Sequence, residues 1–302
     1  MMFREQLKQY VVDNPKMVKM RSAGDDIFVL KYSKSVFFDG TWNRYVEECR
    51  GSIVDSEFNL ITYPFTKIFN YNIEKQAPVF SDIEKVTAFR KINGFMVAMT
   101  YHNGDVLVST TGSTDSEFVD MAKELMLRHM PWEDWQIVMS TDDMRGMTFM
   151  FEAVHERDPH IIPENSGLYI LGYRENEFQS KVGHDCQVLT DLGAKFNCLV
   201  PEAFEVTVGD LVAMSKSVKH EGFVFYHKDG RAAKIKSPHY LISKFVARNP
   251  RTEKLMRPDV KKSLDEEYYG LIDAIQANID EYTAMTEQQR LAWVREFFGD
   301  SE

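Results

Sequence analysis

The sequence predicts a mixed α+β fold, mostly antiparallel, followed by a small helical module. Three observations carry that expectation. From about residue 27 to 112, short alternating runs (IFVLKY, SVFF, SIVD, NLITY, KVTAF, GFMVAMTY, DVLVSTTG) are broken by Gly, Asn and Asp, as in half-buried strands joined by turns. Two further apolar strands, TFMFEAV (148–154) and LYILGY (168–173), follow a capped amphipathic segment. Beyond residue 250 the apolar spacing changes to three and four, and the charge turns acidic.

Taken in order, MMFREQLKQYVVDNP reads as an amphipathic helix ending at Asn14-Pro15, without the features of a signal peptide. His102-Asn103-Gly104-Asp105 is a hairpin turn. Thr114-Asp-Ser-Glu117 forms a capping box before a helix with Phe118, Met121, Ala122 and Leu125 on one face. A short helix near 207–216 leads to the hairpin EGFVFYHKDGRAAKIK, turning at Asp229-Gly230. Leu264, Tyr268, Leu271, Ile275, Ile279 and Tyr282 then mark one helix, and Thr286-Glu-Gln-Gln289 caps a last one carrying Leu291, Val294 and Phe298. The expected division is 1–250 for the main domain and 251–302 for the helical module.

Hydrophobic residues make up 44% and charged residues 27% of the 302, a balance that can bury a sizeable core. Cys49, Cys186 and Cys198 are odd in number and form no CxxC, which supports neither a disulfide framework nor a zinc knuckle; Cys49 reads as inert packing. A reducing, cytoplasmic setting is expected, and no apolar run approaches the roughly 18 residues of a membrane span. The histidines, His155 and His160 among them, show no helical H-x-x-x-H pair, so no metal site is expected there. The net charge of -10 argues against indiscriminate nucleic-acid binding. Locally, though, residues 215–250 hold eight Lys/Arg against Glu221 and Asp229, and that stripe suggests a phosphate-bearing partner.

Residues 89–99, FRKINGFMVAM, pose the central question. Asn-Gly usually makes a hairpin turn, and a lysine two residues earlier is ordinarily a solvent-facing strand end. A lone K-x-[DN]-G arises by chance in roughly one chain in ten of this length. Five other stretches accompany it: ECRGSIVD (48–55), YPFTKIFNYN (63–72), TFMFEAV, EGFVFY (221–226) and KIKSPHY (234–240). Glu152 is a carboxylate in an apolar strand, expensive unless paired or ligand-bound. Lys234 and Lys236 alternate with Ile235 and share a sheet face, which is costly without an anion between them. A phosphate is the natural candidate.

This ordered set resembles the covalent nucleotidyltransferases, and within them the phage-type RNA ligase 1 family of ATP-dependent RNA ligases, over about residues 27–250. The resemblance implies an antiparallel-sheet nucleotidyltransferase (ATP-grasp-like) domain, ATP and Mg²⁺ or Mn²⁺ as cofactors, and RNA with 5′-phosphate and 3′-hydroxyl ends as partner. Lys91 would attack the α-phosphate and hold AMP through a phosphoramide bond. Tyr32, Arg50 and Lys67 would contact the nucleotide and its phosphates, Glu152 the ribose, and Glu221 the metal or Lys91. Lys234 and Lys236 would bind the α-phosphate, and Tyr240 would serve the ligation steps. The residue types suit the chemistry: a free lysine with pKa near 10.4 is protonated at neutral pH, and neighbouring cations and burial lower that value. Cations also offset charge on the transferring phosphoryl group.

Three features depart from the family: Asn93 replaces its aspartate, Thr111 a usual lysine, and the tail after residue 250 is shorter. The implied role is repair of broken RNA such as tRNA, by a monomer, in the host cytoplasm if the source is viral. A duplex nick sealer, a non-catalytic RNA-binding pseudo-ligase and a GTP-using capping enzyme are the alternatives.

Overall fold

The computed structural model describes residues 2–248 and 252–299. In chain order the elements are helix α1 (Phe3–Asp13), strands β1 (Val18–Ser22) and β2 (Phe28–Tyr32), helix α2 (Ser35–Asp39), and strands β3 (Arg50–Val54), β4 (Leu60–Thr62), β5 (Phe69–Asn70), β6 (Lys85–Arg90), β7 (Phe95–His102) and β8 (Asp105–Ser109). Helices α3 (Glu117–His129) and α4 (Trp132–Met139) precede β9 (Met147–Val154) and β10 (Gly167–Glu175). Next come α5 (Cys186–Lys195), β11 (Ala203–Thr207), α6 (Val208–Ser215), β12 (Gly222–Tyr226) and β13 (Ala232–Lys236). Helices α7 (Pro238–Arg248), α8 (Thr252–Leu255), α9 (Tyr269–Ala277), α10 (Ile279–Ala284) and α11 (Glu287–Phe298) follow. The chain packs as two compact units, Met1–Lys67 with Ile92–Glu202, and Ile68–Lys91 with Ala203–Glu302. The expected boundary at 250/251 falls outside the described residues.

The first unit holds two four-stranded antiparallel sheets, β1-β2-β3-β4 and β10-β9-β7-β8. The β7–β8 turn forms as expected: Asn103 and Gly104 both have positive φ, which a tight primed turn requires, and His102 pairs with Asp105. Trp135 stacks on Phe196 at 5.3 Å, with Phe149 and Phe151 edge-on to the same ring. Burying each of those phenylalanines stabilises the unit by about 2–3 kcal/mol.

The second unit holds the sheet β11-β6-β12-β13-β5, antiparallel except for the parallel β13–β5 pair. Its core joins Val86 and Ala88 of β6, Phe223 and Phe225 of β12, and Val208 and Leu211 of α6. Ser237 caps α7, its hydroxyl accepting from the Tyr240 amide at 3.1 Å, and Pro238 takes the first helical position, where its missing N–H costs nothing.

Several expectations are corrected. SVFF is not a strand but part of α2: Val36 is fully buried and Phe37 meets Tyr32 and Trp42 edge-on, so tertiary packing overrides the β preference of the sequence. The Thr114 capping box does not form. Helix α3 starts at Glu117 after Ser116, and the Thr114 hydroxyl points to the Ala23 carbonyl. Phe118 is 41% exposed, while Val119 and Met126 join Met121, Ala122 and Leu125 in the core. The stripe from 264 to 282 is not one helix but a 3₁₀ turn (Glu266–Tyr268), α9 and α10, although Tyr268, Leu271, Ile275 and Tyr282 are all buried. The Thr286 capping box forms as expected. Strands β1, β5 and β11 and helices α4, α5, α7 and α8 went unanticipated: they are short or carry a weak apolar period.

Candidate active site

Lys91 immediately follows β6, and its amide donates to the Gly222 carbonyl at 2.9 Å. That bond continues the β6–β12 ladder, in which Arg90 pairs with Phe223, so the lysine backbone is fixed by sheet pairing. Its Nζ donates to Glu221 Oε2 at 2.9 Å, with the side chains 21% and 6% exposed. Between them the chain runs tight. Gly222 has φ +133°, and a Cβ there would lie 2.0 Å from the Ile235 carbonyl oxygen.

Asn93-Gly94 does not make a hairpin, because β6 and β7 belong to different sheets. Close approach explains the glycine: a Cβ on Gly94 would lie 2.3 Å from the Ala153 carbonyl oxygen. The Gly94 amide donates to Glu152 Oε1 at 3.1 Å, so the carboxylate in the apolar strand β9 has a backbone partner. Asn93 is only 2% exposed, and its Nδ2 donor has no hydrogen-bond partner among the described residues.

On β13, Ile235 packs against the core while Lys234 and Lys236 alternate with it, as the pattern requires. The Lys234 carbonyl accepts from the Tyr71 amide at 2.8 Å. The anion beside Lys236, however, comes from the chain itself. Glu267 Oε1 stands 2.5 Å from Lys236 Nζ, with the two side chains 5% and 10% exposed. Burial pushes the Lys236 pKa down, but Glu267, Glu221 and Asp265 outweigh it, so the ammonium is held well above its ordinary value. Lys244 pairs with Asp265 alongside. Tyr240 is buried, its ring 5.8 Å from Lys236 Nζ and 5.5 Å from Lys244 Nζ. Burial first and Glu221 second, opposed by Lys236 and Lys91, push its phenol up to about 12.

The second unit thus gathers Lys91, Glu221, Lys236 and Tyr240 into one cluster. In the first unit Tyr32 meets Phe37 and Trp42 at 5.2 and 5.0 Å, and the buried Lys67 ammonium lies 4.5 and 4.6 Å from those same two rings. Desolvated cation–π contacts of this kind contribute about 2 kcal/mol. Arg50 sits on β3 opposite Lys31. Within ECRG, Cys49 is fully buried, its thiol pushed up by burial and then by Glu48, which fits the packing role. Glu48 accepts from the Tyr63 hydroxyl, and Arg174 stacks on that ring at 3.4 Å. Sequence reasoning missed Glu267 and Asp265. Their run, LDEEYY, looks like the solvated side of an amphipathic helix, and only the 3₁₀ turn brings Glu267 inward. Among the described residues, no three His, Cys, Asp or Glu side chains gather to hold a metal ion.

The RNA ligase family model matches residues 48–245, a span that contains every one of the six motifs. The chain belongs to the RNA ligase family. This family member is 28% identical over 239 residues to a protein named as a bifunctional polynucleotide kinase/RNA ligase of Autographa californica nuclear polyhedrosis virus, covering 72% of the chain and 33% of the viral protein. The chain therefore spans about a third of that relative's length. Among solved structures, an archaeal ATP-dependent RNA ligase shares the fold with a TM-score of 0.59 at 10% identity, over 97% of this chain and 75% of the other. A protein named as an ATP-dependent DNA ligase of Aquifex aeolicus does so with 0.58 at 13% identity, over 96% and 76%. The family member thus has the mixed α+β fold with antiparallel sheets seen in those ligases. Among the described residues no helix is long and apolar enough to cross a membrane.

Proposed function

We propose that this chain is an ATP-dependent RNA ligase that adenylates itself on Lys91. The neutral amine attacks the α-phosphorus of ATP; a P–N bond forms, the α–β P–O bond breaks, and pyrophosphate leaves with the electron pair. The ammonium must first lose a proton, and Glu221, at 2.9 Å, is the carboxylate that orients Nζ for that loss. AMP then passes to an RNA 5′-phosphate, which frees Lys91, and a 3′-hydroxyl attacks that phosphate and expels AMP. Lys234 and Lys236 offset charge on the α-phosphate, Arg50 and Lys67 bind phosphates, Tyr32 contacts the nucleotide, Glu152 holds the ribose, and Tyr240 serves the two later steps.

What supports the reading is the Lys91–Glu221 pair beside Lys236 and Tyr240, in a chain of the RNA ligase family. The buried Asn93 donor and the Arg50 side chain, which has no ion pair among the described residues, also fit the acceptors of a nucleotide polyphosphate. A divalent Mg²⁺ or Mn²⁺ ion, when bound, supplies charge neutralisation at the phosphates. In this reading residues 1–250 form the adenylyltransferase domain and 251–302 a helical module. The protein works as a monomer on broken RNA such as tRNA, in the host cytoplasm if it is viral.

The test offers end-labelled single-stranded RNA with a 5′-phosphate and a 3′-hydroxyl, and in parallel nicked duplexes, with ATP and Mg²⁺. Joined or circular RNA from the single strand, lost in Lys91→Ala, is expected. Product from nicked duplex alone would move the reading to a nick sealer. ATP binding with neither product nor covalent AMP would move it to the pseudo-ligase.

A further inference from the structure

The sheet β1-β2-β3-β4 carries a row of like charge of which the proposed chemistry uses only Arg50. Lys19 on β1 pairs with Lys31 on β2, and Lys31 pairs with Arg50 on β3, so three cations stand side by side across three strands. Arg21, two residues after Lys19, shares its face of β1. Lys34 follows β2 closely. The four strands together contain four cations and no carboxylate. Lys19, Arg21, Lys31 and Lys34 are exposed and Arg50 is half-buried. None of the five side chains has a hydrogen bond or ion pair among the described residues.

Directly opposed like charges destabilise a sheet. Lys31 feels this, its pKa lowered by burial first and then by Arg21, Arg50 and Lys34. Its ammonium lies close against the backbone of Gly112, where a Cβ would come within 2.7 Å of Lys31 Nζ. Gly51, on β3 next to Arg50, in turn abuts Thr111, where a Cβ would lie 2.8 Å from Cα. A protein of net charge -10 that keeps four such cations on one sheet, with Lys34 just beyond β2, fits an anion whose charges repeat along a line. With strands about 4.8 Å apart, Lys19 to Arg50 spans about 10 Å, and Arg21 and Lys34 lie beyond. That exceeds what one triphosphate covers, whereas a polynucleotide strand offers a charge at every nucleotide.

We propose that Lys19 and Lys31, with Arg21 and Lys34, form the surface on which the phosphate backbone of the RNA strand docks, leading up to Arg50, which the proposed chemistry gives to the nucleotide. The inference rests on the RNA ligase reading for the identity of the strand, and its test is independent of adenylation. The full chain is titrated against a fluorescent single-stranded oligoribonucleotide without ATP, across a range of salt, as wild type, Lys19→Ala/Arg21→Ala and Lys31→Ala. Labelling of the same samples by α-labelled ATP is measured in parallel. Each phosphate contact on a single strand contributes about 0.7 to the log–log salt slope. The double variant should therefore lose about 1.4 from the slope and bind about tenfold more weakly at roughly 0.15 M salt, and Lys31→Ala about half as much on the logarithmic scale. Self-adenylation should be unchanged. RNA affinity unmoved in both variants overturns the proposal, as does a wild type that binds no RNA. Weaker ATP labelling with unmoved RNA affinity also overturns it and assigns the row to the nucleotide. A wild type that binds RNA through these residues yet takes no AMP sinks the ligase reading and leaves the surface standing.

Discussion

Replacing Glu267 with Gln leaves Lys236 buried without its nearest counter-charge. The two side chains are 5% and 10% exposed and 2.5 Å apart, so little solvent screening dilutes the pair. Removing one partner of such a pair costs about 3–5 kcal/mol. Asp265 and Glu221 also act on Lys236, which argues for the lower end, about 3 kcal/mol. For a unit of this size that lowers the melting temperature by roughly 10 °C. Removing both charges together, Lys236→Met with Glu267→Leu, should recover most of the loss, giving a coupling of about 2 kcal/mol or more. The pH dependence follows from the direction of the shift. The folded pKa of Lys236 is raised above its ordinary value of 10.5, so the contribution is fully present below that pH and is lost only as pH rises through the folded value. The difference between wild type and Glu267→Gln should therefore be flat between about pH 6 and 9. Calorimetry or denaturant unfolding of wild type, Glu267→Gln, Lys236→Met, Glu267→Leu and the double variant reads all of this. Single variants costing under about 1 kcal/mol, or additive effects in the double variant, would refute the reasoning.

Three further outcomes are expected. Gly94→Ala forces a Cβ to 2.3 Å from the Ala153 carbonyl oxygen and should cost about 1–3 kcal/mol, read by unfolding. Gly222→Ala pushes against the Ile235 carbonyl while its own carbonyl holds the Lys91 amide; displacing the lysine by about 1 Å should slow self-adenylation about 100-fold, read as the rate of AMP labelling. Asp265 has a lowered pKa: burial raises it, but Lys236 and Lys244 prevail. Its contribution is present above 3.8 and lost as pH falls through the folded value, so Asp265→Asn should flatten the acid limb of stability against pH, read by thermal scans below about pH 4.

The strands of both units were largely legible because alternation is a local signal, and the β7–β8 and β12–β13 turns were written in Asn-Gly and Asp-Gly. Six ordered motifs pointed to Lys91, and among the residues they named the second unit brings Lys91, Glu221, Lys236 and Tyr240 together while the first brings Tyr32 and Lys67 to the same two rings. What the sequence concealed is non-local. The Asn93-Gly94 pair looks like a hairpin until the Ala153 carbonyl shows why the glycine is there. Glu267 looks solvated until a 3₁₀ turn replaces the expected helix and aims it at Lys236. The Lys19–Lys31–Arg50 row depends on the register of three strands, one of them unanticipated, and no periodicity within a single segment encodes it.

The central claim is that Lys91 becomes covalently adenylated. Wild type and Lys91→Ala are incubated with ATP labelled at the α-phosphate and Mg²⁺, run on a denaturing gel, and the Lys91 peptide is weighed by mass spectrometry. Label on the wild type alone, with one adenylyl group on the peptide bearing Lys91, is the predicted result. An unlabelled wild type that binds ATP and carries no prior AMP, or label that persists in Lys91→Ala, would contradict it.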